Sequence, residues 1–322
     1  MNGIMVSHMA KIILKAVTRT SGSTAAVKDG TVTPSRYSLE FEEVPALIQA
    51  FRRMVRSTEF DVTEMAVTTY LCARAAGKPF TALPLFLVRG FHHGAVVRPA
   101  HADTLRPRDL EGATVGVNRG YTVTTGVWAR GILRDEYGVN LDRVTWAPTG
   151  DEHVTEYRAP SNVLPPAAAD LGELVAAGEL TAGVGISADR PGLAPLIADP
   201  EQAGFAALRD RGLYPINHLV VVKDELLAAH PDLAADVFWA YAEAKGRYVD
   251  RLRGGAVSDP TPADLMHKRV MEITGKDPLP YGIGPNRAML SQLLGHAVSQ
   301  HILPRPVPLE TLFAAGTLDL AA

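Results

Sequence analysis

Two kinds of apolar pattern alternate along almost the whole chain, and that alternation limits the fold more than any other feature. Short β-branched runs bounded by turn residues read as strands, and runs with apolar residues three and four apart read as helices. "KIILKAVT" (11–18) is a strand, and Gly30 closes the turn that follows. "VPALIQAFRRMV" (44–55) has helical spacing. "EFDVTEM" (59–65) predicts a short strand ending at a helix start, with Thr63 as N-cap and Glu64 in the first turn. "VTTYLCARAAG" (67–77) continues as a helix with Gly77 just past its end. "FTALPLFLV" and "HGAVVRP" are strands.

A second alternating unit follows. "ATVGV", "RVTWAPTG", "LTAGVGIS" and "YPINHLVVVKDEL" are strand-like. "PRDLEG", "TVTTGVWARGILRDEYG", "AADLGELVAAG" and "PDLAADVFWAYAEAKGRYVDRL" are helical, the last entered at Pro231. Such a pattern predicts an α/β class with mostly parallel pairing. Ligands in such folds sit outside the carboxyl ends of strands, which directs attention to the strand-to-helix junctions.

The chain has 322 residues, which at ~150 per domain gives roughly two domains. With 47% hydrophobic and 21% charged residues it can bury a sizeable core. The net charge of −3, with cations scattered, gives no basic stripe for nucleic acid. The lone Cys72 excludes an intrachain disulfide and reads as a small buried hydrophobe. No apolar run approaches the ~20 residues of a membrane span. Residues 1–9 hold three methionines and are set aside from fold reasoning. No export signal is visible, so the expected location is the cytoplasm.

Several groups could carry chemistry. "LPLFLVRGFHHGAVVRP" (83–99) places Arg89, His92 and His93 in an otherwise apolar run, where unpaired charge is costly. Either these residues form a satisfied structural cluster or they line a pocket for an anion. In a strand, His92 and His93 point to opposite faces, so at most one faces a cleft. Arg89 suits a carboxylate, and its alternative is a structural ion pair. "GYTVTTGVW" sets Tyr121, Thr122, Thr124 and Thr125 at a helix N-terminus, a ready anion site unless one threonine is only an N-cap. Arg130 and Trp128 lie on that helix, Trp128 as core. His218, in "YPINHLVV", reads as structural or catalytic. "DEHVTEY" (151–157) reads as a solvated polar loop or a divalent-cation site, with the loop favoured. HExxH, Walker A and GxSxG motifs are absent.

Taken in order, "EFDVTEMAVTTYLCARAAGKPFTALPLFLVRGFHH", "DLEGATVGV", "GVWARGILRDEYGV", "GLYPINHLVVVKDELLAAHP" and "LPYGIGPNRAML" resemble the 4,5-dihydroxyphthalate decarboxylase family. The resemblance runs from about residue 11 to 313. It implies a two-lobe periplasmic-binding-protein type II-like fold with two chain crossovers. Lobe one would be 11–103 plus 214–322, lobe two 104–213, with the ligand cleft between them and the terminal helices packed on lobe one. The matching positions are Glu64, Arg89, His93, Thr125, Trp128, Arg130, His218 and Asn286. His92 stands where the family pattern has a second arginine, Gly94 where it has a hydroxyl residue, Thr181 where aspartate is common and Asp232 where tryptophan is common. These departures bear on substrate identity more than on fold.

The implied activity is non-oxidative decarboxylation of a hydroxylated aromatic dicarboxylate, giving a catechol acid and CO2, with no organic cofactor and no metal. His93 is the first choice of proton donor, with Glu64 orienting it or accepting the phenol hydrogen and His218 a further catalytic candidate. Arg89 and the Thr122–Thr125 helix end would hold the remaining carboxylate, with His92, Tyr121, Arg130 and Asn286 as further binding residues. The expected partner is a small aromatic carboxylate, with neither nucleic acid nor membrane, and a homo-oligomer is compatible with the sequence. Two rivals stand beside this reading: a transporter's solute-binding protein for a small organic anion, and a same-fold enzyme acting on another cyclic acid.

Overall fold

The structure, a computed structural model, describes residues 11–322, so the methionine-rich start lies outside the described residues. Among the described residues, ten strands form two five-stranded sheets. The first holds β1 (Ile12–Val17), β2 (Tyr37–Phe41), β3 (Val62–Ala66), β4 (Phe80–Arg89) and β10 (Ile216–Lys223) in the order β2-β1-β3-β10-β4. The second holds β5 (Val96–Pro99), β6 (Thr114–Val117), β7 (Thr145–Pro148), β8 (Ala182–Val184) and β9 (Leu193–Pro195) in the order β7-β6-β8-β5-β9.

Each sheet admits one antiparallel strand from across the lobe boundary, so pairing is mixed rather than mostly parallel. β10 lies antiparallel between β3 and β4, and β5 lies antiparallel between β8 and β9. The chain therefore leaves the first sheet at Gly90 and returns near Pro215. The first crossover precedes β5, earlier than the boundary expected near residue 104, because Val96 and Val97 pair with β8 and not with the first sheet.

The described residues also form ten α-helices: α1 (Ala25–Lys28), α2 (Leu47–Ser57), α3 (Val67–Ala75), α4 (Thr124–Tyr137), α5 (Leu171–Ala176), α6 (Pro200–Arg211), α7 (Asp224–Ala229), α8 (Leu233–Arg253), α9 (Pro262–Thr274) and α10 (Ile283–Ser299). Gly77 and Gly138 follow α3 and α4 with φ of 74° and 67°, a left-handed conformation that costs a glycine little. Burial of Val237, Phe238 and Tyr241 seats α8 on the first sheet with Leu83 and Val220. The final long helix departs from expectation: α10 packs on α4 of the second lobe, where Gln300 just past its end bonds Arg130 and the Val127 carbonyl, both at 2.8–2.9 Å. Trp128 is fully buried and its indole N–H reaches the Ile216 carbonyl, tying α4 to the start of β10. Among the described residues, no helix is long and apolar enough to cross a membrane.

Candidate active site

A cavity of about 630 Å³ opens at the carboxyl ends of β1, β2 and β6, where an open α/β sheet presents its loops. The first lobe supplies Thr18–Thr20 after β1, Glu42–Ile48 after β2, Phe51 and His218. The second lobe supplies Arg119, in the loop after β6.

Sheet register brings Glu64 and His218 together across 154 positions of sequence. His218 pairs with Ala66 and Val220 with Glu64, so Glu64 and His218 project from the same face two residues apart. His218 Nδ1 lies 2.6 Å from Glu64 Oε1. A carboxylate only accepts, so the Nδ1 hydrogen is fixed toward Glu64 and Nε2 is left for the cavity. Glu64 Oε2 accepts the Arg19 backbone N–H at 2.8 Å, so both carboxylate oxygens are held. The Phe51 ring meets His218 edge-on, with centroids 5.3 Å apart. Glu64 is fully buried while His218 keeps some exposure, as a relay pair opening on a cleft requires. The structure corrects one local expectation: β3 runs to Ala66, so Glu64 and Thr63 lie in a strand and not at a helix start.

Three sources of positive potential face this cavity. The guanidinium groups of Arg19 and Arg119 have no hydrogen-bond or ion-pair partner among the described residues. Arg119 is a non-glycine residue with φ of 65°, and its backbone N–H donates to Thr149 Oγ1 at 3.0 Å. Left-handed backbone at a non-glycine residue is uncommon and clusters at ligand sites. Helix α2 begins without a side-chain cap, so the first-turn N–H groups of Leu47 and Ile48 point to the same hollow. The two acids on the wall are already engaged: Glu42 with Arg53 and Lys15, and Glu43 with Lys28. The site is therefore set up for an anion.

The other expected site residues lie elsewhere. Arg89 and His93 share no hollow. His93 is fully buried in a 3-10 turn (His93–Ala95) at the first crossover, and its Nε2 pairs with Glu136 at 3.1 Å. Glu136 also binds Arg211 at 2.6 Å; burial pushes its carboxyl up, but these two partners hold it below the usual range. His92 bonds Asn217 at 3.0 Å, and burial pushes its imidazole down to about 4. The alternation argument for the two histidines fails because they lie in a turn and not in a strand, and both are buried. Arg89 donates to the Tyr214 carbonyl at 3.1 Å and to Asn286 Oδ1, away from His218. Asn286 is itself anchored to the Pro280 and Gly282 carbonyls.

The anion position in the turn just before α4 is already filled by the chain. Glu152 accepts the backbone N–H groups of Tyr121 (2.5 Å) and Thr122 and the Thr122 hydroxyl, occupying the anion position that the sequence offers there. Burial pushes its carboxyl up. A Cβ on Gly120 would stand 2.6 Å from that carboxylate, which explains the glycine. Thr124 bonds Thr68 at 2.7 Å, docking α4 on α3. Thr125 is only half-buried and its hydroxyl has no bonded partner among the described residues. Arg130 is buried, donates to the Tyr121 carbonyl at 2.7 Å and stacks on the Tyr121 ring at 3.8 Å. Burial also lowers its guanidinium pKa.

The 151–157 stretch is a loop with Asp151, Thr155 and Glu156 exposed, as expected, and it also fastens the lobes to each other. Asp151 binds Arg52 and Arg56 of α2 at 2.6 and 3.0 Å, and Glu156 binds Lys78 at 2.6 Å. His153 bonds Thr69 of α3 at 3.0 Å, and burial followed by the nearby Arg52 charge pushes its imidazole down to about 4. Among the described residues no cluster of three or more His, Cys, Asp or Glu is placed to hold a metal ion. Sequence reasoning passed over Arg19 and Arg119; the signal available for Arg119 was its place in "VNRGYT", between a strand and a helix.

No protein-family model matches the chain. It is 28% identical over 289 residues to a protein of Comamonas testosteroni named 4,5-dihydroxyphthalate decarboxylase, covering 84% of this chain and 87% of that protein. A Pseudomonas putida protein of the same name is 29% identical over 170 residues, covering 48% of this chain and 66% of its own length. Among solved structures, the periplasmic aliphatic sulphonate binding protein SsuA from Escherichia coli superposes with a TM-score of 0.55 at 12% identity, covering 94% of this chain and 92% of that one. The chain thus has the two-lobed fold of periplasmic binding proteins, and the sequence relatives it resembles are proteins named 4,5-dihydroxyphthalate decarboxylase.

Proposed function

We propose that the chain is a carboxy-lyase that removes one carboxylate from a hydroxylated aromatic dicarboxylate of the 4,5-dihydroxyphthalate type. The observation that carries this reading is the Glu64–His218 pair opening on a cavity that also holds two unpaired arginines. The relatives' names supply the substrate class; the residues supply a way to act on it.

A hydroxyl para to the departing carboxylate makes the ring carbon that bears it electron-rich. The imidazolium of His218 delivers the Nε2 proton to that carbon, and the ring loses aromaticity. The carbon–carbon bond then breaks, CO2 leaves, and the bonding electrons restore the ring. One proton is consumed and one CO2 released, with no change of oxidation state that needs a cofactor. Glu64 keeps the ring oriented for proton transfer, and such positioned general-acid help is worth roughly 10²–10⁴-fold in rate. Arg19, Arg119 and the open end of α2 hold the carboxylate that stays. The leaving carboxylate loses its charge along the path, so a weakly solvating wall beside it favours the transition state over the bound substrate. The proton-donor role expected of His93 passes to His218, because the buried ring of His93 is committed to Glu136. With that chemistry, the expected setting is the cytoplasm and the expected role the breakdown of aromatic compounds.

The test is release of CO2 from 4,5-dihydroxyphthalate by the purified protein, run in D2O. The expected outcome is a catechol acid carrying deuterium at the vacated ring carbon. Binding without CO2 release would instead favour a solute-binding protein, the role named for the sulphonate-binding structural relative.

A further inference from the structure

A second cavity, of about 510 Å³, lies at the β4 edge of the first sheet and shares no lining residue with the His218 cavity. It is walled by α6, by α9 and the turn after it, and by the start of α10, with Arg89 and Tyr214 on its inner side. Arg89 ends β4 just before the first crossover, and Tyr214 stands in the second, so both connections between the lobes border this hollow. The Gly90 N–H donates to the Pro215 carbonyl at 3.1 Å, pinning one crossover to the other beside it.

The charge here is unbalanced. Among the described residues Arg89 has only two acceptors, the Tyr214 carbonyl and Asn286 Oδ1, and both are neutral. Its Nε is sealed from water without a partner, and so is the Tyr214 hydroxyl. Burial lowers the Arg89 pKa to about 10, an effect that the charge of nearby Asp277 offsets only in part. A partly buried cation with no carboxylate within hydrogen-bond reach is favoured by the arrival of one. The rim adds cations: Arg209 is exposed with only a loose, solvated contact to Asp210 at 3.9 Å, and Lys276 has no carboxylate partner among the described residues. The single acid of the lining, Asp277, is already paired with Lys245. Between the charges, Leu208, Val270, Ile273 and Met289 give the hollow an apolar wall.

We propose that this cavity is a second ligand site, for a small organic carboxylate with an apolar body, its carboxylate directed to Arg89 and the rim cations. It stands apart from the decarboxylase reading, since no residue of the His218 cavity takes part.

The test is calorimetric titration of the full chain with benzoate as the probe. Benzoate can also enter the His218 cavity, so the titration is repeated in Arg119→Gln, which weakens that site alone. The expected result is a binding component that survives Arg119→Gln and weakens about tenfold or more in Arg89→Gln, the loss of a charge-assisted pair. Arg89 is partly buried and Arg89→Gln could fail to fold, so the exposed double variant Arg209→Gln/Lys276→Gln gives an independent reading. It is expected to weaken the same component about threefold or more, the smaller effect of exposed charges. Absence of a component that survives Arg119→Gln overturns the proposal. So does a component indifferent to the rim variant and, where it folds, to Arg89→Gln.

Discussion

Two histidine groups in this molecule look alike in sequence and differ in what surrounds them. His218 pairs through one nitrogen with a buried glutamate and leaves the other to a cavity lined by unpaired arginines. His93 also pairs with a glutamate, but its ring is wholly enclosed and that glutamate is shared with Arg211. The first turns its free nitrogen to the cavity; the second has its free Nδ1 sealed in the interior without a partner. An acid–histidine pair becomes a candidate for chemistry when its free nitrogen reaches a cavity, and pairing alone marks only a structural bond.

Substitutions can break this contrast. The largest expected effect is at His218: His218→Gln should lower kcat by about 10²–10⁴ while KM changes little, read by steady-state CO2 release. Glu64→Gln should follow, with a loss on the order of ten- to a hundredfold, because the ring keeps its place but its tautomer is no longer fixed. Arg119→Gln should act mainly on KM, raising it about tenfold or more, as expected for removal of a charge-assisted hydrogen bond. If Arg119→Gln instead lowers kcat at unchanged KM, the residue does not serve as an anchor for the bound carboxylate.

The closed group should show itself in stability. His93→Gln should cost about 1–3 kcal/mol in denaturant unfolding, by leaving the half-buried Glu136 short of a partner, with kcat of the folded protein unchanged. Acid sharpens the same point. His92 and His153 are held neutral by burial, their pKa values pushed from the ordinary 6.5 to about 4. The unfolded chain then binds more protons than the folded one between those values. Their contribution is fully present above pH 6.5 and is lost as pH falls toward 4, on the order of 3 kcal/mol each. Unfolding midpoints measured between pH 7 and pH 4 should therefore fall steadily. A flat profile would mean that these rings are not buried neutral.

The sequence carried the elements better than their assembly. The strand of residues 80–88 and the helices closed by Gly77 and Gly138 were legible because period and terminator agree locally. The crossover before β5 was not, since "HGAVVRP" reads as a strand without saying which sheet it joins. Glu64 and His218 each stood out as residues, but their partnership depends on β10 returning antiparallel beside β3, a contact no local pattern encodes. Tyr121 and Thr122 did form an anion site, and the chain's own Glu152 fills it. Burial and occupancy, more than residue type, separate candidates from the site, and both are properties of the folded whole.

The most direct measurement is single-turnover release of labelled CO2 from bound 4,5-dihydroxyphthalate, made side by side on His218→Gln and His93→Gln at saturating enzyme. The account predicts a rate at least about a hundredfold below the parent for His218→Gln and a parental rate for His93→Gln. The reverse order, or equal rates in the two variants, would contradict it.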